Sequence, residues 1–351
     1  MEFEENDKLT VLEIINSSLT SVTPTIGLLK NLSKLEIVQS YIHLLNLGIF
    51  CGLAKLSTID LYRNRITSIS SDSTRSCFFN MTDTNFSNNL IDSVDLGLFR
   101  ESNSIAGKDN QITLLSGNLI SDYLDYIDLS LNKLQMLNIC EWDTPNLNEL
   151  NLSGNLLSTV PQCLENLKNL RELRLTSNRI TSVNIESFAT MWNLQQLHLA
   201  DNNMTAIALN STRFPPKIYA LGLKMNLLTY LDLSFIPVKD MQIDVAHNLI
   251  NSFDVSGTSP NVTSLQMACN PIDCSWYSAE QKESAVCDRD HAVGVKVCSS
   301  AKSVSFHTGT ITRYSFVKRN CSLRSNGLSA KTQKQKNSRG FKSSFRPFIN
   351  L

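Results

Sequence analysis

From Leu9 onward, large apolar residues recur in a fixed phase that is neither the 3.6-residue period of a helix nor the simple alternation of a long strand. The template L-x-x-L-x-L-x-x-N-x-L is met by LSTIDLYRNRI (56–66), LDYIDLSLNKL (124–134), LNELNLSGNLL (147–157), LRELRLTSNRI (170–180), LQQLHLADNNM (194–204) and IYALGLKMNLL (218–228). With that template fixed, the asparagine position falls at Ser17, Ser40, Asn64, Asn89, Asn110, Asn132, Asn155, Asn178, Asn202, Asn226, Asn248 and Asn270, twelve turns with a mean period of 23 residues. The copies at Asn89 and Asn110 are poor, with Thr84 and Gly107 where a large apolar residue is expected. An α/β protein with leucine-rich helices does not keep asparagine in phase over eleven intervals, so the repeat decides the fold.

This pattern resembles the leucine-rich repeat. It predicts an α/β solenoid: a leucine-rich-repeat horseshoe with a concave parallel β-sheet and a C-terminal disulfide cap. Each L-x-L segment forms one short strand whose apolar residues point into a shared core. The asparagine amide bonds backbone groups of adjacent turns that would otherwise be buried without partners. Ser17 and Ser40 do this only in part, so the first two turns are expected to be looser. Phe50, Phe99 and Phe188 lie ten residues after the asparagine position and are expected to fill the convex side. A period of 23 leaves no room for a full helix there, only extended segments and short helical turns. At about 4.8 Å per strand, twelve strands span roughly 50 Å. The predicted organisation is an acidic N-terminal end (1–8), the solenoid (9–272), a cysteine-containing cap (273–321) and a basic disordered tail (322–351).

Nine cysteines subdivide by position. Cys140 and Cys163 each lie eight residues after an asparagine position, so in stacked turns they fall about one strand spacing apart, within disulfide reach. The alternative is two buried free thiols acting as small hydrophobes. Cys51 and Cys77, at unequal offsets of 11 and 13, form a second candidate pair. Cys269, Cys274, Cys287, Cys298 and Cys321 are separated by 4, 12, 10 and 22 residues, without the close Cys-x-x-Cys knuckles of structural zinc. The segment ACNPIDCSWYSAEQ resembles the C-terminal flanking cap of extracellular leucine-rich-repeat proteins in Asn270, Pro271 and Cys274, with Cys287, Cys298 and Cys321 following. It departs from that pattern in carrying Ile272 where a tryptophan is usual and Ser275-Trp276 where many members have a second cysteine, so no pairing is carried over. Trp276 and Tyr277 are placed to cover the last turn, and 279–286 reads as a short helix. If both earlier pairs form, five cap cysteines leave one unpaired, free for a disulfide-linked partner.

Formal net charge is zero, with 32 basic and 32 acidic residues, so no global field points to nucleic acid or to an anionic membrane. The balance conceals an asymmetry: nine basic residues and no acidic one lie between Lys318 and Leu351, leaving a body of net charge −9. No apolar run is long enough to span a bilayer. The start, MEFEENDKLTVLEII, lacks the signature of a secretory leader. The first turn also has no N-terminal cap, so an upstream segment carrying both leader and cap is expected. Nine N-x-Ser/Thr sequons (Asn16, Asn31, Asn80, Asn85, Asn151, Asn203, Asn210, Asn261, Asn320) permit a glycoprotein, but their number is close to chance and does not define the compartment.

Phosphate-binding glycine loops, Gly-x-Ser-x-Gly elbows and His-Glu-x-x-His are absent, and the five histidines are scattered, so neither catalysis nor a cofactor is expected. Positions between the leucines face out from the sheet and are the default binding surface. Four residues before the asparagine stand Asp128, Asn151, Arg174, His198, Gly222 and Asp244; neighbouring columns add Tyr126, Glu149, Arg171, Glu172, Gln196, Tyr219 and Lys224. Aromatic and arginine side chains with room beside Gly222 suit a contact centre, although any such face must be polar. The expected ligand is another protein or a microbial or extracellular ligand. Over residues 9 to 321 the repeats and the CSW cap resemble insect leucine-rich immune proteins, which implies a secreted recognition or scaffold component of humoral defence. The chain shows no long heptad segment after the cap, which puts coiled-coil assembly in doubt. The alternatives are the ectodomain of a membrane receptor and, third, an intracellular adaptor.

Overall fold

A computed structural model describes residues 2–71, 82–100, 102–254 and 256–271, together with the backbone of Ala301–Ser305 and Tyr314–Val317. The chain divides into residues 1–321 and 322–351, and the second unit lies outside the described residues.

Twelve parallel strands stack in sequence order: Val11–Ile15, Lys34–Val38, Thr58–Asp60, Asp83–Asn85, Ser104–Ala106, Tyr126–Asp128, Glu149–Asn151, Glu172–Arg174, Gln196–His198, Ala220–Gly222, Met241–Asp244 and Val262–Gln266. From Thr58–Asp60 onward each ends four residues before its asparagine, as the template requires. The register pairs repeat positions directly, for example Leu150 with Leu173 and Leu173 with Leu197. Ala301–Ser305 then pairs antiparallel with Val262–Gln266, and Tyr314–Val317 pairs antiparallel with Ala301–Ser305. The leucine-rich-repeat solenoid read from the sequence is the observed fold. Its opposite side carries 3-10 turns and three two-stranded ladders, with no α-helix among the described residues.

The ladder asparagines work as their spacing implies. Asn178 is typical: its Oδ1 accepts from the Leu157 backbone N–H at 3.0 Å, while Nδ2 donates to the carbonyls of Leu152 and Leu175 at 3.0 and 3.1 Å. The same three bonds, shifted by one turn, recur at every ladder asparagine from Asn64 to Asn270. One side chain thus satisfies a buried N–H and two buried C=O groups that the tight turn would leave unpaired. The residue before each ladder position is left-handed. Eleven non-glycine residues from Asn16 to Cys269 have φ between 54° and 59°, and Gly154 has 69°. Asn and Asp enter this region readily, but Arg63, Leu131 and Met225 do so against steric cost, which the bonds of the following asparagine offset.

Local sequence also explains the convex side. Three 3-10 turns, Leu47–Phe50, Leu96–Phe99 and Ile185–Phe188, follow Asn46, Asp95 and Asn184. Each of those side chains accepts from the backbone N–H two residues on. The turn aims its phenylalanine inward, and Phe50, Phe99 and Phe188 are all buried, as expected for a spine.

The gap in one weak repeat is filled from the other. A Cβ built on Gly107 would meet Phe86 Cε2 at 2.4 Å, so the ring occupies the space left by the missing side chain one turn away. Phe86 is fully buried, with its ring centroid 5.8 Å from that of Phe99. Thr84, between Ile59 and Ile105 in the stack, is buried with no hydrogen-bond partner for its hydroxyl among the described residues.

Cys140 and Cys163 form a disulfide across adjacent turns, with a Cα–Cα distance of 4.9 Å that matches one strand spacing. Cys51 and Cys269 are disulfide-bonded too. The proposed Cys51–Cys77 pairing involves Cys77, outside the described residues, as are Cys274, Cys287, Cys298, Cys321, Trp276, Tyr277 and the helix expected at 279–286.

Candidate functional site

Strand geometry dictates what the sheet face presents. Within each strand the middle residue points into the core and its two neighbours point out. In-register stacking therefore produces two outward columns. One runs Tyr126, Glu149, Glu172, Gln196, Ala220, and the other Asp128, Asn151, Arg174, His198, Gly222, Asp244. Ten of the thirteen face residues anticipated from sequence lie in these columns: Tyr126, Asp128, Glu149, Asn151, Glu172, Arg174, Gln196, His198, Gly222 and Asp244. Arg171 and Tyr219 precede their strands and stand on the rim. Lys224 follows its strand, two residues before Asn226.

The central residues form one ion-pair cluster. Arg174 Nε lies 3.0 Å from Glu149 Oε1, Arg174 Nη2 2.9 Å from Glu172 Oε1, and His198 Nε2 2.8 Å from the same Glu172 oxygen. The Arg174 Nε and His198 Nε2 contacts are close without hydrogen-bond alignment, so Arg174 Nε is held by charge and His198 Nε2 by packing rather than by directed bonds. Tyr126 donates its hydroxyl to Asp128 Oδ2 at 3.2 Å, and Asp128 Oδ1 accepts from the Ser130 backbone N–H.

Burial shifts the protonation equilibria. It raises the Glu149 carboxyl above its ordinary value against the pull of Arg174. It lowers the His198 imidazole, helped by Arg174 and opposed by Glu172, so His198 is neutral near pH 7. Burial, with Asp128 and Glu149 adding their charge, holds the Tyr126 phenol far above its usual range.

Extending the columns toward the N-terminus adds residues that attention to the best repeats had passed over: Glu13, Lys34, Glu36, Asp60, Asp83 and Asn85. The signal was present, since the same offsets select them. Lys34 is held by Glu36 at 2.6 Å and Glu13 at 3.6 Å. Both cations of the two outward columns are thus already paired. Asp60, Asp83, Asp128 and Asp244 have no cationic partner among the described residues. The face therefore carries surplus negative charge in a rigid, shallow, open array. No group of three or more His, Cys, Asp or Glu among the described residues is placed to hold a metal ion.

The leucine rich repeat family matches residues 142–180 and 168–228. No curated protein matches the chain. Among solved structures, the APL1 leucine-rich repeat domain aligns at 19% identity with a TM-score of 0.61, over 84% of this chain and 82% of that one. An internalin, InlF, of Listeria monocytogenes aligns at 18% identity and a TM-score of 0.55, over 75% and 82%. The structure of the Toll–Spatzle complex, described as a molecular hub in Drosophila development and innate immunity, aligns at 19% and 0.56; it covers 78% of this chain, which spans 46% of that one. Insect and bacterial proteins match about equally well, and the likeness at such identities is one of architecture: the chain has the leucine-rich-repeat fold.

Proposed function

We propose that this is a non-enzymatic recognition protein of the extracellular space. Its sheet face docks a protein that presents lysine and arginine. The observation that carries the reading is the charge balance of the outward columns: their two cations are consumed internally, and three accessible aspartates, Asp60, Asp83 and Asp244, are left to a partner. Complementary charge of this kind steers encounter and sets register more than it adds affinity. An oxidising compartment is supported by the cysteines, since all four among the described residues (Cys51, Cys140, Cys163, Cys269) are disulfide-bonded. A role in innate immunity accords with the Toll–Spatzle likeness. The ectodomain of a receptor would use the same surface; among the described residues no helix is long and apolar enough to cross a membrane.

Arg174→Glu is a poor test, because removing the guanidinium leaves Glu149 and Glu172 repelling each other. Asp83→Lys is cleaner: Asp83 is exposed and bonds only the Ser104 and Thr82 hydroxyls. In pull-downs from native extracellular fluid, Asp83→Lys is expected to lose the captured protein while Lys168→Glu, on the opposite side, retains it. Capture by wild type is expected to weaken with added salt. Equal capture by the two variants would move the site off the sheet.

A further inference from the structure

Where the turns of Asn226 and Asn248 meet, at the edge by which the chain enters the sheet, lies an open cleft of about 790 Å³. That volume falls within the range of small-molecule sites, about 300–1,000 Å³. Phe214, Tyr219 and Val238 line it, together with Lys217, Lys239 and Asp240.

Its origin lies in a second side-chain ladder, nine residues before each main asparagine. Asn146 and Asn169 donate to the carbonyls of Asp122 and Pro145, both at 2.6 Å. Asn193 donates to Asn169 Oδ1 at 2.7 Å, and Lys217 Nζ donates to Asn193 Oδ1 at 2.6 Å. The next position is Lys239. Each rung donates to the turn before it; lysine has donors and no acceptor, so Lys217 cannot receive from Lys239, and Lys239 has no hydrogen bond or ion pair with the described residues. The ladder breaks at this point and the cleft opens there. Two lysines at equivalent positions of adjacent turns start about 4.8 Å apart at the backbone. Their charges repel unless an anion lies between them. Asp240 is the only carboxylate of the lining, so its net charge is +1.

We propose that this cleft binds a small amphipathic monoanion: a carboxylate head between Lys217 and Lys239, and a short apolar body against Phe214, Tyr219 and Val238. The head completes the interrupted ladder by offering Lys239 the acceptor that Lys217 cannot. The apolar walls set the size of the body, and the single positive charge favours one negative charge over two. The two lysines stand apart from the outward columns, which the cleft approaches only through Tyr219 on the rim.

Calorimetric titration of the full chain with octanoate tests this, with acetate and octanol as probes that carry only the head or only the body. Octanoate is expected to bind saturably, and acetate and octanol at least tenfold more weakly. Both lysines are exposed, so Lys217→Gln/Lys239→Gln is expected to keep the wild-type melting temperature and lose roughly tenfold or more in octanoate affinity. No saturable octanoate heat with wild type would overturn the proposal. So would undiminished binding by the folded double variant, or acetate binding as tightly as octanoate.

Discussion

The first two turns and the middle of the solenoid solve the same problem with different side chains. In the middle, each asparagine closes one N–H and two carbonyls. At the start, Ser40 Oγ accepts from the Ser17 N–H at 3.2 Å, approaches Ser17 Oγ at 2.9 Å, and reaches its own turn's Val38 carbonyl at 3.3 Å. A hydroxyl has one hydrogen and a short reach, so it cannot span to the previous turn's carbonyl while also accepting. The strands compensate by lengthening: Val11–Ile15 and Lys34–Val38 pair over five residues, against three in the middle. Leu12 and Ile14 nevertheless stay only half-buried, because among the described residues no further strand stacks on the outer side of the first turn. Ladder bonds and stacking neighbours are therefore separate contributions, and the first turn is short of both.

The largest expected break in this comparison is Asn178→Ala. It orphans the Leu157 N–H and the Leu152 and Leu175 carbonyls, at about 1–3 kcal/mol per buried group. A loss of at least ~3 kcal/mol in urea unfolding is expected, against about 1 kcal/mol for Ser40→Ala. Equal losses would show that the two ladders do the same work.

Gly107→Ala tests the repair of the weak turns. Its Cβ must displace the Phe86 ring, at about 1–3 kcal/mol for an overpacked core. Phe86→Leu in the same chain is expected to recover most of the loss. Additive losses in the double-mutant cycle would deny that the two residues share one space.

Ser40→Asn sharpens the comparison in the other direction. By analogy with the middle turns, its amide is positioned to accept from the Leu19 N–H and to donate to the Ile14 and Ile37 carbonyls. A gain of about 1 kcal/mol is expected, with slower amide hydrogen exchange at Leu19. Unchanged exchange there would mean that the serine is not what loosens this turn.

The smallest effect concerns pH. The folded pKa of His198 lies below its unfolded value of about 6.5. The unfolded chain therefore binds more protons between the two values, and stability falls as pH drops below about 6.5. The raised Glu149 carboxyl works oppositely at lower pH, where protonating the folded state relieves its buried charge. His198→Gln is expected to flatten the stability profile just below pH 6.5. A profile identical to wild type would place His198 in water rather than against Glu172.

Legibility in the sequence followed periodicity. The Cys140–Cys163 disulfide was readable because equal offsets in stacked turns mean neighbouring positions. The phenylalanine spine and the outward columns were readable for the same reason. Arg171 and Tyr219 were harder to place, since they precede their strands and the end of a three-residue strand is not marked by any residue type. Left-handed positions occupied by Leu131 and Met225 carry no sequence signal at all. The Phe86–Gly107 exchange was visible only as a defect, because a ring filling a neighbour's vacancy is a relation between turns.

What the sequence by itself determined is the one-dimensional part: the number of turns, their phase, the buried ladder and the residues that face out. It could do so because a solenoid turn contacts only its neighbours, so position within the repeat translates directly into position in space. Only the tertiary structure decided the rest. Arg174 and Lys34 are spent on their own face, Phe86 fills the space beside Gly107, and the second ladder fails at Lys239. Each of these outcomes depends on how far a side chain reaches across the roughly 4.8 Å between turns and on which atom it finds there, and neither is written in the repeat.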